Sequence, residues 1–287
     1  MHSGKPPLTT DARHENQIDP MSRFERSRAN HGFQRMTKTN LSWLFALIGM
    51  ILFLGPAVRA EEKCPVEIKL LLSPLTTPTV IASLGFKNEA AGRVYFFDTD
   101  ALDLLMQGVI VRVRQGASND LTVKVRLPKG DPKVDSSRLY ERFPCEIDRN
   151  QMGESTSYAI KRRYKATRVP ENGSDIYSLL SVSQKELLHE AGISLDLVRV
   201  VRMADINSTK WETTAQSPFG QLALELWEWP AGKVLELSAK VESAAAASKY
   251  AELERLVHVK NLSLDTSQET KTSVVLKTFA GHASPPK

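Results

Sequence analysis

The chain has 287 residues, of which 41% are apolar, and it carries 38 Lys and Arg against 33 Asp and Glu. This apolar fraction excludes a wholly disordered protein, and the length allows one large domain or two small ones. Residues 1–60 hold eight basic and four acidic residues, which leaves residues 61–287 with a net charge of only +1. That balance argues against a basic nucleic-acid-binding domain, so any anion site must be a local cluster of cations.

The first 60 residues have the layout of a secretory signal. The stretch 41–54, "LSWLFALIGMILFL", is an uncharged apolar run of 14 residues, and Val58 and Ala60 place small side chains before a cleavage point after residue 60. An uncleaved membrane anchor is the alternative, although the run is short for a bilayer span of roughly 20 residues. We predict a polar extension plus signal peptide over 1–60, an exported periplasmic or secreted domain over 61–281, and a disordered tail over 282–287.

Two cysteines, Cys64 and Cys145, lie in the exported part. In an oxidising compartment they can form a disulfide, and the alternative is a pair of free thiols. A bridge would close a loop of about 80 residues and stabilise the fold by roughly 4 kcal/mol in the chain-entropy model.

Alternation of apolar and polar residues predicts strands through most of the exported part. In chain order these strands cover 66–72, 93–99, 109–115, 121–127, 138–148, 157–169, 221–229 and 233–242, and the last two form a hairpin around "PAG". Helices are predicted between and after them at 99–108, 183–192, 243–259 and 266–281. Two of the helices have apparent capping boxes, Ser183 with Glu186 and Thr266 with Glu269. The pattern favours an antiparallel sheet that closes toward a barrel, with the helices outside.

One face of this sheet is charged on at least five strands. Because side chains alternate along a strand, the following residues share a face within their strands: Glu67 and Lys69; Arg112 and Arg114; Thr122, Lys124 and Arg126; Ala223, Glu225 and Trp227; Glu236, Ser238 and Lys240. A half-solvated sheet is the ordinary explanation for such a face. Like charges on adjacent strands are destabilising, however, and a bound anion would offset the repulsion. A cation-lined tunnel with some carboxylates suits a polyphosphate-like anion and a divalent metal.

Four segments in order give the chain a family resemblance. "VEIKLLL", "VYFFDTDALDLLMQGVIVRVR", "LTVKVRLP" and "VLELSAKVE" resemble the motifs of the CYTH superfamily, the triphosphate tunnel metalloenzymes, over roughly 64–245. The resemblance implies an eight-stranded antiparallel tunnel in which basic residues hold a triphosphate and carboxylates hold Mg²⁺ or Mn²⁺. Family members hydrolyse inorganic or nucleoside triphosphates, make cyclic AMP or cleave thiamine triphosphate.

Carried over position by position, the resemblance implies specific site residues. The predicted phosphate-binding residues are Lys69, Arg112, Arg114, Lys124 and Arg126. The predicted metal ligands are Glu67, Glu225 and Glu236, and additional candidates are Glu146, Asp148 and Lys240. Two carboxylates of the family pattern are absent, because Pro65 and Ser238 stand in their places. The basic run 161–165 would either add phosphate contacts or form a solvated edge.

The sequence therefore leaves the function between three classes. The first is an exported, metal-dependent triphosphatase or phosphohydrolase that uses Mg²⁺ or Mn²⁺. The second is a non-catalytic polyanion-binding protein that has lost the metal, which Pro65 and Ser238 favour, and the third is an envelope scaffold. For the first two classes we expect a small polyanion as ligand, and for all three we expect no nucleic acid and membrane contact only through the N-terminal segment.

Overall fold

A computed structural model describes residues 64–127, 136–194, 199–214, 217–267 and 269–280, and all of these residues belong to one unit. The predicted extension and signal peptide over 1–60 and the predicted tail over 282–287 lie outside the described residues. Within the described ranges, no helix combines the length and the apolar character needed to cross a membrane.

Nine strands and seven α-helices make up the described part of the chain. The strands are β1 (Val66–Leu72), β2 (Lys87–Asp98), β3 (Val109–Gly116), β4 (Asp120–Leu127), β5 (Cys145–Asn150), β6 (Gly153–Arg163), β7 (Val201–Glu212), β8 (Leu222–Trp229) and β9 (Gly232–Val241). The helices are α1 (Thr77–Leu84), α2 (Asp103–Met106), α3 (Ser136–Arg142), α4 (Gly173–Ser178), α5 (Val182–Glu190), α6 (Ala246–Val259) and α7 (Lys271–Phe279). Short 3-10 turns at Pro74–Thr76 and Ser243–Ala245 precede α1 and α6.

The strands close into a barrel in the order β1-β5-β6-β4-β3-β2-β7-β8-β9, and β9 pairs with β1. The predicted closed barrel with helices outside is therefore confirmed, whereas the prediction of eight antiparallel strands is wrong in two respects. A ninth strand, β7, lies between β2 and β8, and β1 pairs with β5 in parallel. Strand β7 escaped prediction because the apolar residues of its sequence, "VRMADINSTKWE", do not alternate regularly with polar ones. Its backbone pairs instead along nearly the whole length of β2.

The aliphatic faces of the strands point outward and are covered by helices. Val111, Val113 and Val123 pack in one cluster with Leu187 and Leu188 of α5. A second cluster joins the outward residues of β1, β8 and β9 to α1 and α6. Because these faces are buried under helices, the opposite faces of the strands form the lumen of the barrel.

Helix α7 packs against the apolar end of the lumen. Its residues Val275 and Leu276 are almost fully buried, and they belong to a cluster with Leu71, Val94, Phe96, Leu102, Ile110, Met203, Ala204, Ile206, Trp227, Trp229 and Val234. Leu71 and Ile110 also line the lumenal cavity, so the helix bounds that cavity on this side. The charged part of the lumen begins at the N-terminal end of α7.

Some local predictions from sequence were displaced by a few residues. The capping box of α5 is formed by Ser181 and Gln184 rather than Ser183 and Glu186. The buried Gln184 side chain also donates to the carbonyl oxygens of Leu121 and Ile160, which ties the helix to β4 and β6.

The last helix and the fifth strand also differ from the sequence-based bounds. Helix α7 is capped by Thr270, whose hydroxyl accepts from the Ser273 amide, and not by Thr266. The segment predicted as a strand over 138–148 begins as helix α3 and becomes strand β5 only after Pro144. Proline lacks the amide proton that a ladder requires, so the strand starts beyond it.

Candidate functional site

A single cavity of about 540 Å³ occupies the charged part of the lumen. It is lined by every residue predicted for phosphate or metal binding: Glu67, Lys69, Arg112, Arg114, Lys124, Arg126, Glu146, Asp148, Glu225, Glu236 and Lys240. The strand periodicity that placed these side chains on one face therefore places them around one enclosed space. From the basic run 161–165, only Lys161 lines the cavity.

The cavity has more positive than negative charge. Nine Lys and Arg side chains line it against six Asp and Glu, an excess of three positive charges. Both signs occur at close range in the lumen, where water is limited, so their interactions are stronger than at a surface. The distribution of ion pairs decides which cations are free to bind a ligand.

Asp148 is the most heavily paired carboxylate in the lumen. It is almost fully buried, and it accepts from Lys69, from Lys124 at 2.7 Å and from Arg126 at 3.2 Å. Burial alone would raise the pKa of Asp148, but these three cations, Lys69 foremost, hold it well below its usual range. Asp148, followed by Glu67 and Glu236, in turn holds the pKa of Lys69 well above its usual range despite burial.

Three carboxylates converge around these cations. Glu67, Glu146 and Asp148 can each present an oxygen so that the three oxygens lie within 4.8 Å of one another. Lys69 Nζ lies 2.8 Å from Glu67 and 4.0 Å from Glu146, and Lys124 Nζ lies 3.6 Å from Glu146. Burial and the nearby Glu67 raise the pKa of Glu146, whereas Lys69 outweighs burial and lowers the pKa of Glu67. We call Glu67, Glu146 and Asp148 the acidic triad.

Glu225 and Glu236 form a separate pair, which Lys271 of α7 bridges. They lie directly opposite each other on β8 and β9. Lys271 Nζ contacts Glu225 Oε2 and lies 2.9 Å from Glu236 Oε1. Glu225 Oε1 accepts from the Trp227 indole at 2.8 Å and from the Ser208 hydroxyl at 3.0 Å. Burial alone would raise the pKa of Glu225, yet Lys271 and these hydrogen bonds lower it to about 2.

Arg112 differs from these charged side chains, which are held in ion pairs. Its Nε is buried without a hydrogen-bond partner, and no ion pair to it is found among the described residues. Burial, followed by repulsion from Arg114, lowers the pKa of the Arg112 guanidinium. Lys161 stands opposite Thr122 on β6, and burial and Arg114 lower its pKa as well. Arg114 is compensated, because it pairs with Asp120 at 2.8 Å.

Sequence reasoning did not find Lys271. The residue lies at the start of a helix, so strand periodicity says nothing of it, and its partner Glu225 is 46 residues earlier in the chain. The sequence also predicted the helix to begin near Thr266, so it did not show that Lys271 stands at the helix N-terminus, where the helix dipole makes a cation unfavourable. The structure also joins Cys64 to Cys145 in a disulfide, which lies beside the acidic triad because Cys145 lines the cavity.

Comparison with known proteins shows the fold. A Hippeastrum protein, named as a candidate adenylyl cyclase and described as having a dominant triphosphatase activity, aligns with 74% of this chain and 94% of its own at 18% identity, with a TM-score of 0.51. A Bacillus halodurans protein named as a candidate adenylate cyclase aligns with 74% of this chain and 97% of its own at 14% identity, with a TM-score of 0.50. The predicted resemblance to the CYTH superfamily is thus confirmed at the level of the fold.

Comparisons of sequence alone find no match. No protein-family model matches the chain, and no curated protein sequence matches it significantly. The likeness therefore lies in the fold, and activity must be argued from the side chains themselves.

The acidic triad suits a divalent metal by its chemistry. Mg²⁺ and Mn²⁺ prefer oxygen ligands, and three carboxylates from β1 and β5 supply them within one small volume. Glu225 and Glu236, which the sequence placed in the metal site with Glu67, are instead paired with Lys271. Lys240 lies 3.7 Å from Glu146 at the rim of the cavity, where its side chain is largely exposed.

Proposed function

We propose that the protein binds a triphosphate or polyphosphate-type anion in the barrel cavity and hydrolyses it with a divalent metal. The observation that carries the proposal is Arg112, a cation inside the barrel with a buried Nε that lacks a hydrogen-bond partner. A buried donor without a partner is costly, and a phosphate oxygen would accept from it and balance the charge of the guanidinium.

The neighbours of Arg112 define the class of anion. Lys161 adds a second cation without an ion pair among the described residues, and Arg126 has a buried Nε without a partner. Lys124 and Lys69 line the same cavity, and both contact Asp148. Cations spread along the lumen favour an extended anion with several phosphoryl groups over a single phosphate.

The metal would be Mg²⁺ or Mn²⁺ held by Glu67, Glu146 and Asp148. When bound, such an ion neutralises phosphoryl charge and activates water. Arg112, Lys161 and Arg126 would bind and orient the chain of phosphoryl groups. Hydrolysis of tripolyphosphate adds one water, breaks one P–O–P bond and yields diphosphate and orthophosphate.

A second candidate function is anion binding without catalysis. It is favoured by Lys69, whose Nζ already contacts Asp148 and lies 2.8 Å from Glu67, so that a metal in the acidic triad would have to displace this ammonium. In that case the lumen binds the polyanion, and the acidic triad only lowers the net positive charge of the lumen. A scaffold role without any ligand leaves the buried, unpaired Nε of Arg112 unexplained.

The test combines a binding and a turnover measurement on the protein. Tripolyphosphate affinity is measured by calorimetry, and orthophosphate release is measured with Mg²⁺, with Mn²⁺ and with chelator. We expect Arg112→Ala to weaken tripolyphosphate binding at least about 10-fold, because a hydrogen bond between charged groups contributes roughly 1.5–3 kcal/mol. The matched control is Arg168→Ala, since the Arg168 side chain is 86% exposed outside the cavity.

The outcomes separate the candidates. Metal-dependent phosphate release supports the hydrolase, whereas binding without release under any metal leaves only the binding protein. An Arg112→Ala variant that binds tripolyphosphate as tightly as the wild type would contradict both.

We further propose that the domain is exported, to the periplasm or the medium, after cleavage behind residue 60. The disulfide between Cys64 and Cys145 supports this, because disulfides persist in oxidising compartments. The mass of the mature protein recovered from the periplasm or medium of expressing bacteria should match a chain that starts at Glu61. A full-length protein in the membrane fraction would indicate the N-terminally anchored form instead.

A further inference from the structure

Lys271 is an unusual residue at the base of the cavity. It is the first residue of α7, it is only 8% exposed, and it contacts carboxylates on two adjacent strands. Its Nζ also lies 4.4 Å from the centre of the Trp227 ring, within cation–π range. Every described neighbour that it contacts therefore favours a positive charge at this point.

Helix stability does not explain a cation at this place. A lysine at a helix N-terminus opposes the helix dipole, and burying an ammonium requires compensation by opposite charge. The compensation comes from Glu225 and Glu236, which are cross-strand neighbours and would repel each other without a cation between them. The lysine and the carboxylate pair thus depend on each other.

We propose that Lys271 is a built-in cation that takes the place of a divalent ion between Glu225 and Glu236. It positions both carboxylates and closes this half of the cavity to metals. A metal in the lumen would then be restricted to the acidic triad of Glu67, Glu146 and Asp148, where it would have to displace Lys69, whose Nζ lies 2.8 Å from Glu67 and also contacts Asp148. The second part of this inference rests on the proposed function, whereas the first part depends only on the contacts of Lys271.

The position of Lys271 also matters for the triad. Lys271 lines the same cavity as Glu67, so α7 contributes to the electrostatic field of both carboxylate groups. A fixed ammonium delivers one positive charge without exchange with solvent, whereas a metal ion delivers two and can dissociate. The lumen therefore keeps Glu225 and Glu236 ordered whether or not metal is present.

The experiment counts bound Mn²⁺ by the loss of the free-ion signal in electron paramagnetic resonance. Lys271→Met removes the ammonium and keeps much of the side-chain volume, and we expect it to bind one more Mn²⁺ per chain than the wild type. Lys277→Met is the matched control, because Lys277 lies on the same helix, is exposed and pairs only with Glu269 among the described residues. Lys271→Arg keeps the charge and should keep the wild-type number.

A third variant tests the place of the additional ion. Glu225→Gln combined with Lys271→Met breaks the carboxylate pair, so the double variant should return to the wild-type number. An unchanged Mn²⁺ count in folded Lys271→Met, or an additional ion that survives in the double variant, would overturn the proposal. If Lys271→Met unfolds without metal, Mn²⁺ must restore its thermal transition, and failure to do so also overturns the proposal.

The count also separates this inference from the proposed function. A wild-type protein that binds no Mn²⁺, with one ion in Lys271→Met, would leave the role of Lys271 intact and remove the metal from the proposed hydrolysis. One ion in both proteins would support the triad as the metal site and would reject the proposal that Lys271 takes the place of an ion between Glu225 and Glu236.

Discussion

Two carboxylates of the lumen, Asp148 and Glu225, are held ionised by different contacts. Asp148 is surrounded by three cations, and Glu225 accepts from Lys271, Trp227 and Ser208. In both cases the opposite charges overcome burial, which by itself would favour the protonated acid. These carboxylates therefore make stability depend on pH.

Glu225 provides a measurable case. Its pKa is lowered from the ordinary value of 4.5 to about 2 in the folded protein, so its contribution is present above pH 4.5 and is lost as pH falls toward 2. We expect Glu225→Gln to lower the free energy of unfolding by about 3 kcal/mol at pH 7, and by progressively less between pH 4.5 and 2. Urea unfolding at pH 7 and pH 3 measures the difference.

The control for this measurement lies on the same strand. Glu228 of β8 is exposed and faces away from the cavity, so Glu228→Gln should leave stability nearly unchanged at both pH values. A Glu225→Gln deficit of equal size at pH 7 and pH 3 would mean that the carboxylate is not held ionised by its neighbours.

At the scale of elements, the barrel closes through a short parallel pairing of β1 with β5. Strand β1 pairs with β9 over seven residues but with β5 over only three, from Val66 with Ile147 to Ile68 with Arg149. The Cys64–Cys145 disulfide lies at the start of this short parallel pairing. It therefore fixes the two strands that carry the acidic triad.

Removing the disulfide should weaken the pairing of β1 with β5. We expect Cys64→Ser combined with Cys145→Ser to lower the free energy of unfolding by about 4 kcal/mol, the value for a closed loop of this length. Denaturant unfolding with and without dithiothreitol checks the expectation. Reductant should shift the wild type toward the double variant and should not affect the variant, and a wild type insensitive to reductant under unfolding conditions would contradict it.

Helix α7 is the other element that completes the lumen. Leu276 is 2% exposed within the apolar end of the barrel, and Leu276→Ala should cost about 2–5 kcal/mol because it leaves a cavity there. Val259→Ala, in an exposed position at the end of α6, is the control and should change stability little. Thermal unfolding of both variants measures the effect, and equal transition temperatures would show that α7 is not packed on the barrel.

On the scale of the whole molecule, the barrel keeps like charges close together in a cavity with an excess of three positive charges. The folded state bears this repulsion, and a polyanion that binds only the folded state relieves it. Ligand binding and global stability are therefore linked.

Tripolyphosphate should raise the melting temperature. At a concentration about 100-fold above Kd the stabilisation is about 2.7 kcal/mol, which corresponds to roughly 5–10 °C for a domain of this size. Sulfate at equal ionic strength is the control for screening, and the shift should shrink in Arg112→Ala. A shift of equal size with sulfate would indicate a general salt effect rather than a polyanion site.

The sequence determined the faces of the strands. Alternation placed Lys69, Arg112 and Lys124 on a common side, and this holds in any sheet because consecutive side chains point to opposite faces. The aliphatic opposite faces required a cover, and the chain offered amphipathic helices for it. For these reasons the closed barrel and the predicted strand residues that line its cavity could be inferred without coordinates, whereas Lys271 could not.

Only the tertiary structure decided which charges meet. The parallel pairing of β1 with β5, the insertion of β7, and the contact of Lys271 with Glu225 and Glu236 join segments far apart in the chain. Periodicity is local and carries no information on such pairings, which depend on how the barrel closes and where α7 packs. Glu225 and Glu236 could have bound either a metal or a lysine, and the packing of α7 places Lys271 between them.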